Sequence, residues 1–141
     1  NRSKLLLKRV FEILNNKIKN KKISFLGVTF KANTDDMRDS SSLKMIPDLS
    51  KKGAIIRYYD PTGRKIEFDK YKNVQYSNSL LTCVEKTDLI IIHTEWNDFK
   101  SLDFKRFVKN KKTIIFDMRN LYSPQEMAKK NLKYFSVGRG L

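Results

Sequence analysis

The fold of this chain is decided by residues 22–46, which read KISFLGVTFKANTDDMRDSSSLKMI. The segment opens with a nearly continuous apolar run from Ile23 to Val28, which is typical of a β-strand covered on both faces. A helical pattern begins at Leu43. Residues 27–42 therefore form a strand-to-helix connection. It is much longer than is usual for such units, and long connections are disproportionately functional.

The chemistry of this connection favours a phosphorylated ligand. Lys31 and Arg38 supply cations, and the serines at positions 40–42 are expected to cap the following helix. The carboxylates are Asp35, Asp36 and Asp39. Because cations lie beside these aspartates, we expect the carboxylates to hold the loop's shape rather than a metal ion.

The remaining chain alternates between strand and helix patterns. Further strands are predicted at residues 54–59, 88–93, 112–116 and 132–137. Helices are predicted at residues 5–18, 43–52, 77–85 and 124–130, and a helix or helical turn at residues 99–108, whereas residues 65–76 are weakly patterned. This alternation predicts an α/β fold: a doubly wound, mostly parallel, Rossmann-like sheet with helices on both faces.

In such folds ligands bind beyond the carboxyl ends of the strands, and polar residues follow the predicted strands there. The clusters are Phe30 and Lys31; Asp60; Thr94, Glu95 and Trp96; and Asp117, Arg119 and Asn120. Lys31 and Arg119 suit an anion above the sheet, and Phe30 suits a base or sugar. Trp96 has two open places, in the ligand cavity or at the edge of the core. No G-x-G-x-x-G follows the first strand, so this domain should not hold a dinucleotide by itself.

Composition narrows the function classes. The 141 residues suit one domain, and no apolar run is long enough for a membrane span. Cys83 is the sole cysteine, which excludes an internal disulfide and fits a reducing cytoplasm. It lies in a helical pattern and is predicted to pack in the core rather than to act as a nucleophile. The single histidine, His93, excludes a histidine-rich metal site.

The net charge of +15 leaves two alternatives. One is a basic nucleic-acid-binding module, and the other is a lysine-rich surface that also serves an anionic small ligand. The lysines are spread along the chain and no nucleic-acid recognition motif is visible. We therefore favour the small ligand and expect no specific nucleic acid as partner.

Five motifs, taken in order, resemble one family. They are residues 27–42 as quoted, Tyr59-Asp60-Pro61, Thr94-Glu95-Trp96, Asp117-Met118-Arg119-Asn120 and Ser136-Val137-Gly138-Arg139. Together they resemble the C-terminal domain of the UDP-glucose/GDP-mannose dehydrogenases. One position departs from that pattern: Met118 stands where the family usually has glycine.

The resemblance implies two successive NAD-dependent oxidations of a sugar C6 alcohol to a carboxylate. UDP-glucose, giving UDP-glucuronate, is the expected substrate; GDP-mannose and a UDP-N-acetylhexosamine are the alternatives. Phe30, Lys31 and Arg119 match substrate-binding positions, and Arg38 matches an arginine that closes on NAD. In the family the arginine matched by Arg119 often comes from the partner subunit.

The resemblance also implies a division of the chain. Residues 1–20 resemble the end of the central helix that builds the family's homodimer, and residues 21–141 resemble the UDP-sugar-binding domain. The catalytic cysteine and the glycine-rich NAD loop belong to parts of the family's chain that precede these residues. We therefore expect the fragment alone to be inactive, with NAD bound mainly by a missing N-terminal domain.

Overall fold

The computed structural model describes residues 2–108 and 112–137. Within them, six strands form one parallel sheet in the order β3-β2-β1-β4-β5-β6. The strands are β1 Lys22–Leu26, β2 Ile55–Tyr59, β3 Val74–Tyr76, β4 Leu89–Ile92, β5 Ile114–Asp117 and β6 Lys133–Ser136. This is the strand order of a doubly wound, Rossmann-like sheet, so the predicted fold class is confirmed.

Helices cover both faces of this sheet. They are α1 Arg2–Ile13, α2 Ser42–Lys51, α3 Leu80–Val84, α4 Asn97–Lys100, α5 Phe104–Phe107 and α6 Pro124–Lys129, with one 3₁₀ turn at Ile66–Phe68. Among the described residues, every helix is too short or too polar to cross a lipid bilayer.

Alternation along the buried strands separates two cores. Leu89 and Ile91 pack in a core with residues of α1 and α2, whereas Ile90 and Ile92 pack in a second core with residues of α3 to α6. This is the two-sided burial expected of a parallel sheet between helical layers. Cys83 lies in the second core, as predicted, and burial raises the pKa of its thiol to about 12.

Two element predictions differ from the structure, and one strand was not predicted. The first helix ends at Ile13 rather than at residue 18, because Asn15 and Asn16 adopt left-handed backbone angles, which asparagine tolerates and a helix does not. The helix predicted at residues 99–108 is two short helices, α4 and α5. The edge strand β3 lies in the weakly patterned segment and has only three residues, too few to show an alternation.

The functional edge of the sheet follows from the topology. The chain leaves β1 toward β2 and β3, then crosses to β4 on the other side of β1. The carboxyl ends of β1 and β4 therefore flank the crevice where the strand order reverses, which is where doubly wound sheets bind ligands.

Candidate functional site

An open cleft of about 580 Å³ lies at this crevice. Its lining includes Phe30, Lys31, Ser41, His93 and Arg119. The structure thus brings together the three predicted substrate-binding residues, which come from two separate connections. Arg38, the predicted NAD contact, lines a different depression on the outer side of the β1–α2 loop.

The loop leaves β1 through a turn with no room for a side chain. Gly27 has a φ of 79°, and a Cβ placed on it would lie 2.5 Å from the Cβ of Thr94. Its N–H donates to the carbonyl of Tyr59 at 2.8 Å. The next N–H, that of Val28, donates to the buried carboxylate of Asp60 at 2.8 Å. The first loop residues are therefore fixed to β2 and β4.

The serine run ties the end of the loop to its beginning. Ser40 and Ser42 both donate to the carbonyl of Val28, each at 2.6 Å. The N-cap residue of α2 is Ser41, and its side chain makes no capping hydrogen bond. The predicted capping role is therefore wrong at the N-cap, because the hydroxyls of the neighbouring serines close the loop and that of Ser41 contacts His93 instead.

Arg119 joins two strand ends above the sheet. Its Nε donates to the carbonyl of His93 and its Nη2 to the carbonyl of Phe30, both at 3.0 Å. Its backbone N–H donates to the carboxylate of Asp117. The two side-chain bonds use two of the five N–H groups of the Arg119 guanidinium, and Arg119 lines the cleft. Half-burial lowers the pKa of Arg119, and the carboxylate of Glu95 opposes that change.

Met118 fits the backbone beside Arg119. Its φ lies outside the left-handed region; the left-handed residue in this turn is Asn120, with a φ of 56°. The Met118 side chain is buried in the first core. The departure from glycine therefore does not disturb the placement of Arg119.

Phe30 and Lys31 form one rim of the cleft. Phe30 is exposed by 47%, so its apolar side chain is open to solvent at the cleft. The Phe30 N–H donates to the carbonyl of Asp36, and the Thr29 hydroxyl donates to the carbonyl of Lys31. The backbone is held, so both side chains project from a fixed position.

Sequence reasoning missed His93 and Ser41. The imidazole of His93 is buried, with Nε2 2.8 Å from Ser41 Oγ and Nδ1 3.1 Å from Thr94 Oγ1. Burial lowers the pKa of His93 to about 3, and the nearby charges of Arg119 and Arg2 add to this effect. The sequence signal that could have identified His93 is its position, because the chain's sole histidine lies at the end of a predicted strand and is followed by polar residues.

The outer part of the loop is held by its own side chains. Arg38 Nη2 lies 3.0 Å from Asp36 Oδ2, and the Arg38 side chain is 88% exposed. The hydrogen bonds between them raise the pKa of Arg38 and lower that of Asp36. Asp36 thus holds the loop's shape as predicted. Among residues 2–108 and 112–137, no group of three potential metal-binding side chains is found.

The structure also places Trp96 and part of the last family motif. Trp96 lies in the second core and does not line the cleft, which decides between its two expected places. In the last family motif, Ser136 is buried at the end of β6, whereas Gly138 and Arg139 lie outside the described residues.

Comparison with known proteins agrees with this architecture. Residues 24–124 match the sequence model of the UDP-glucose/GDP-mannose dehydrogenase family, UDP binding domain. The chain belongs to this family. The resemblance predicted from the five motifs is therefore confirmed.

Individual relatives give the same result. The chain is 36% identical over 140 residues to UDP-glucose 6-dehydrogenase of Rhizobium meliloti (strain 1021), covering 99% of this chain and 32% of that protein. The UDP-D-ManNAc dehydrogenase structure from Pyrococcus horikoshii superposes with a TM-score of 0.70 at 29% identity, covering 98% of this chain and 30% of that one.

A third relative is the NDP-N-acetyl-D-galactosaminuronic acid dehydrogenase of Methanosarcina mazei Go1. Its structure superposes with a TM-score of 0.75 at 27% identity, covering 98% of this chain and 29% of that one. The chain spans about a third of the length of the relatives it matches.

The β1–α2 connection does not fit the pyrophosphate of a dinucleotide. Such a cradle needs several glycines that let backbone N–H groups approach the phosphates at a helix N-terminus. Here Gly27 is followed by a long loop, and the space beside it is filled by Thr94. The described residues of this chain therefore form a cleft lined by cations such as Lys31 and Arg119, without a dinucleotide cradle of their own.

Proposed function

We propose that this chain binds the UDP group of a nucleotide sugar within an NAD-dependent dehydrogenase that oxidises UDP-glucose to UDP-glucuronate. The observation that carries the proposal is the convergence of Phe30, Lys31 and Arg119 in one cleft at the switch point of the sheet. Family membership supports the nucleotide-sugar class, and the relative with 36% identity supports UDP-glucose. The two N-acetylated-sugar enzymes among the relatives keep a UDP-N-acetylhexosamine as the alternative substrate, and GDP-mannose stays within the family's range.

Each cleft residue has a task suited to its chemistry. Lys31 offers a point charge, and Arg119 offers a planar fork for phosphate oxygens. Phe30 presents an exposed ring against which a base or ribose packs. Because two backbone carbonyls already orient Arg119, little conformational entropy is lost when the phosphates bind.

Residues outside this chain complete the enzyme in this proposal. NAD is held mainly by another domain, which also supplies the catalytic cysteine, and Arg38 contacts NAD from this side. Residues 1–20 contain α1, which in this proposal is the end of a helix that forms a homodimer. The fragment alone then catalyses nothing, and the buried thiol of Cys83 agrees with a cytoplasmic location.

The proposal is tested by calorimetric titration of UDP and UDP-glucose into the chain and into Lys31→Ala. We expect binding to the original chain and a loss of about threefold or more in the variant, since a charged hydrogen bond to phosphate is removed. Arg64→Ala is the matched control, because Arg64 is an exposed cation paired with Asp69 outside the cleft.

Two results would overturn the proposal. One is the absence of binding at millimolar ligand. The other is salt-dependent binding of DNA that UDP cannot displace, which would favour the basic nucleic-acid-binding module instead.

A further inference from the structure

The contact between Ser41 and His93 has proton positions that follow from counting donors. The contacts of Thr94 with Thr29 and His93, and of His93 with Ser41, can all be hydrogen bonds in one arrangement only. In it the Thr94 hydroxyl donates its single proton to the carbonyl of Thr29, which can only accept, at 3.0 Å. At its 3.1 Å contact with His93 Nδ1, Thr94 Oγ1 must therefore accept. It follows that the proton of the neutral imidazole sits on Nδ1.

The other ring nitrogen is then an acceptor. Nε2 carries no proton in this tautomer, so the Ser41 hydroxyl donates to it across 2.8 Å. The ring stays neutral at pH 7, because burial and the charges of Arg119 and Arg2 lower the pKa of His93 to about 3. The Ser41 proton is thus directed away from the cleft.

This orientation of the Ser41 proton determines which ligand groups can bond to which cleft residues. Ser41 lines the cleft, but with its proton on His93 it offers incoming ligands only oxygen lone pairs. Lys31 and Arg119, in the same cleft, are donors without acceptor capacity. Ligand acceptors such as phosphate oxygens therefore match the cations, and a ligand donor matches Ser41 or the carboxylate of Asp39, which also lines the cleft.

A nucleophile–base pair is the other chemistry that a serine and a histidine offer. A base with a pKa of about 3 holds too little affinity for a proton at neutral pH to activate a hydroxyl. The contact therefore serves binding rather than covalent catalysis.

We propose that Ser41 accepts a hydrogen bond from a hydroxyl group of the bound nucleotide sugar, and that His93 is the positioning residue that keeps Ser41 in this acceptor role. The inference rests on the proposed function, since it takes the ligand class from it. It assigns a selective contact for a hydroxyl beside the cationic contacts for phosphate.

The first experiment titrates inorganic pyrophosphate, UDP and UDP-glucose into the chain, Ser41→Ala and Ser41→Thr. We expect Ser41→Ala to lower the affinity for UDP-glucose by about threefold to tenfold, the effect of losing one neutral hydrogen bond, and to leave the affinity for pyrophosphate unchanged. Ser41→Thr, which keeps the hydroxyl, should restore affinity. Ser101→Ala, an exposed serine outside the cleft lining, is the control.

The comparison between ligands locates the hydroxyl. An equal loss for UDP and UDP-glucose assigns it to the ribose, and a loss for UDP-glucose alone assigns it to the hexose. An unchanged affinity for UDP-glucose, or an equal loss for pyrophosphate, would overturn the inference while leaving the proposed function intact. If the original chain binds neither nucleotide, the proposed function itself fails.

The second experiment reads the tautomer by ¹⁵N NMR of the imidazole. His93 is the chain's only histidine, so its ring signals need no further assignment. We expect a protonated Nδ1 and an unprotonated Nε2, with the Nε2 signal shifting when UDP-glucose binds and in Ser41→Ala. A protonated Nε2 in the folded chain would overturn the acceptor role of Ser41.

Discussion

The two halves of the β1–α2 connection are held in different ways. The inner half, residues 27–31 and 40–42, is bonded to strand ends through the carboxylate of Asp60 and the hydroxyl of Thr94, and its two segments are tied together at the carbonyl of Val28. The outer half, residues 32–39, buries Met37 in the first core, and its exposed Arg38 pairs with Asp36 within the loop. The inner half is therefore fixed at the strand ends, whereas the exposed side chains of the outer half are free to adjust.

The two candidate ligand-binding arginines differ in the same way. Arg119 is half-buried and bonded to the carbonyl of Phe30 in the inner half and to that of His93, whereas Arg38 is exposed and paired with a carboxylate in solvent. Solvent-exposed ion pairs contribute little and yield readily to a competing charge. A rigid cleft for one ligand beside an adaptable arm for another is the arrangement expected at the border between two domains.

The largest effect is expected from breaking the inner half at Gly27. In Gly27→Ala the new Cβ would lie 2.5 Å from Thr94 Cβ at a φ of 79°. We expect a loss of about 2–5 kcal/mol in the free energy of unfolding, from left-handed strain plus overpacking, measured by urea denaturation. Gly63→Ala is the matched control, because Gly63 also has a positive φ but nothing lies within 4 Å of its Cβ position. Equal losses in the two variants would show that the close approach to Thr94 is unimportant.

The next effect concerns ligand affinity at Arg119. We expect Arg119→Ala to lower the affinity for UDP by roughly 10-fold to 100-fold, since a charged hydrogen bond contributes about 1.5–3 kcal/mol. Arg119→Lys should recover only part of this loss, because lysine keeps the charge but lacks the fork that bonds two carbonyls. Calorimetry measures both affinities. Full affinity in Arg119→Ala would contradict its place in the binding site.

A third prediction uses the buried imidazole beneath the inner half. The pKa of His93 is about 3 in the folded chain against an ordinary value of 6.5. Between these values the unfolded chain binds a proton that the folded chain does not, so stability falls as pH drops from 6.5 toward 3. The slope attributable to His93 approaches about 1.4 kcal/mol per pH unit.

Denaturation at a series of pH values checks this slope. His93→Gln lacks the titrating ring, so its stability should fall less steeply than that of the original chain between pH 6 and pH 4.5. The aspartates and glutamates are common to both proteins and largely cancel in the comparison. Parallel curves would show that the folded chain accepts a proton on His93 as readily as the unfolded one.

The smallest effect is expected in the outer half. Arg38→Ala removes an exposed ion pair, so the melting temperature and the affinity for UDP should both stay close to those of the original chain. Thermal denaturation and calorimetry measure the two quantities. A loss of UDP affinity comparable to that of Arg119→Ala would place Arg38 in the UDP site and remove the distinction between the halves.

The sequence predicts the parts of this structure that depend on long or strong patterns. The apolar runs and the topology indicate the buried strands β1, β4 and β5 and the clusters that follow them, so Phe30, Lys31 and Arg119 could be placed in one region. The edge strand β3 has three residues, and the break between α4 and α5 depends on tertiary packing of Phe99 and Phe104, so neither leaves a periodic signal.

Side-chain hydrogen bonds were harder to predict than elements. A serine before a helix pattern suggests a cap, yet the hydroxyl of Ser41 reaches His93, which is 52 residues away in the sequence. Such long-range bonds depend on how strand ends are brought together in space. Local sequence therefore indicated the loop as a candidate site but did not show which of its serines faces the cleft.

The most direct test of the proposed UDP site is an NMR titration of UDP that maps the perturbed backbone amides. We expect the largest shifts around Phe30, Lys31, Ser41 and Arg119, in the cleft at the carboxyl ends of β1, β4 and β5. A second cleft lies at the opposite edge of the sheet and is lined by Lys22, Arg57 and Lys86. Shifts confined to that cleft, or none at millimolar UDP, would contradict the placement of the UDP site.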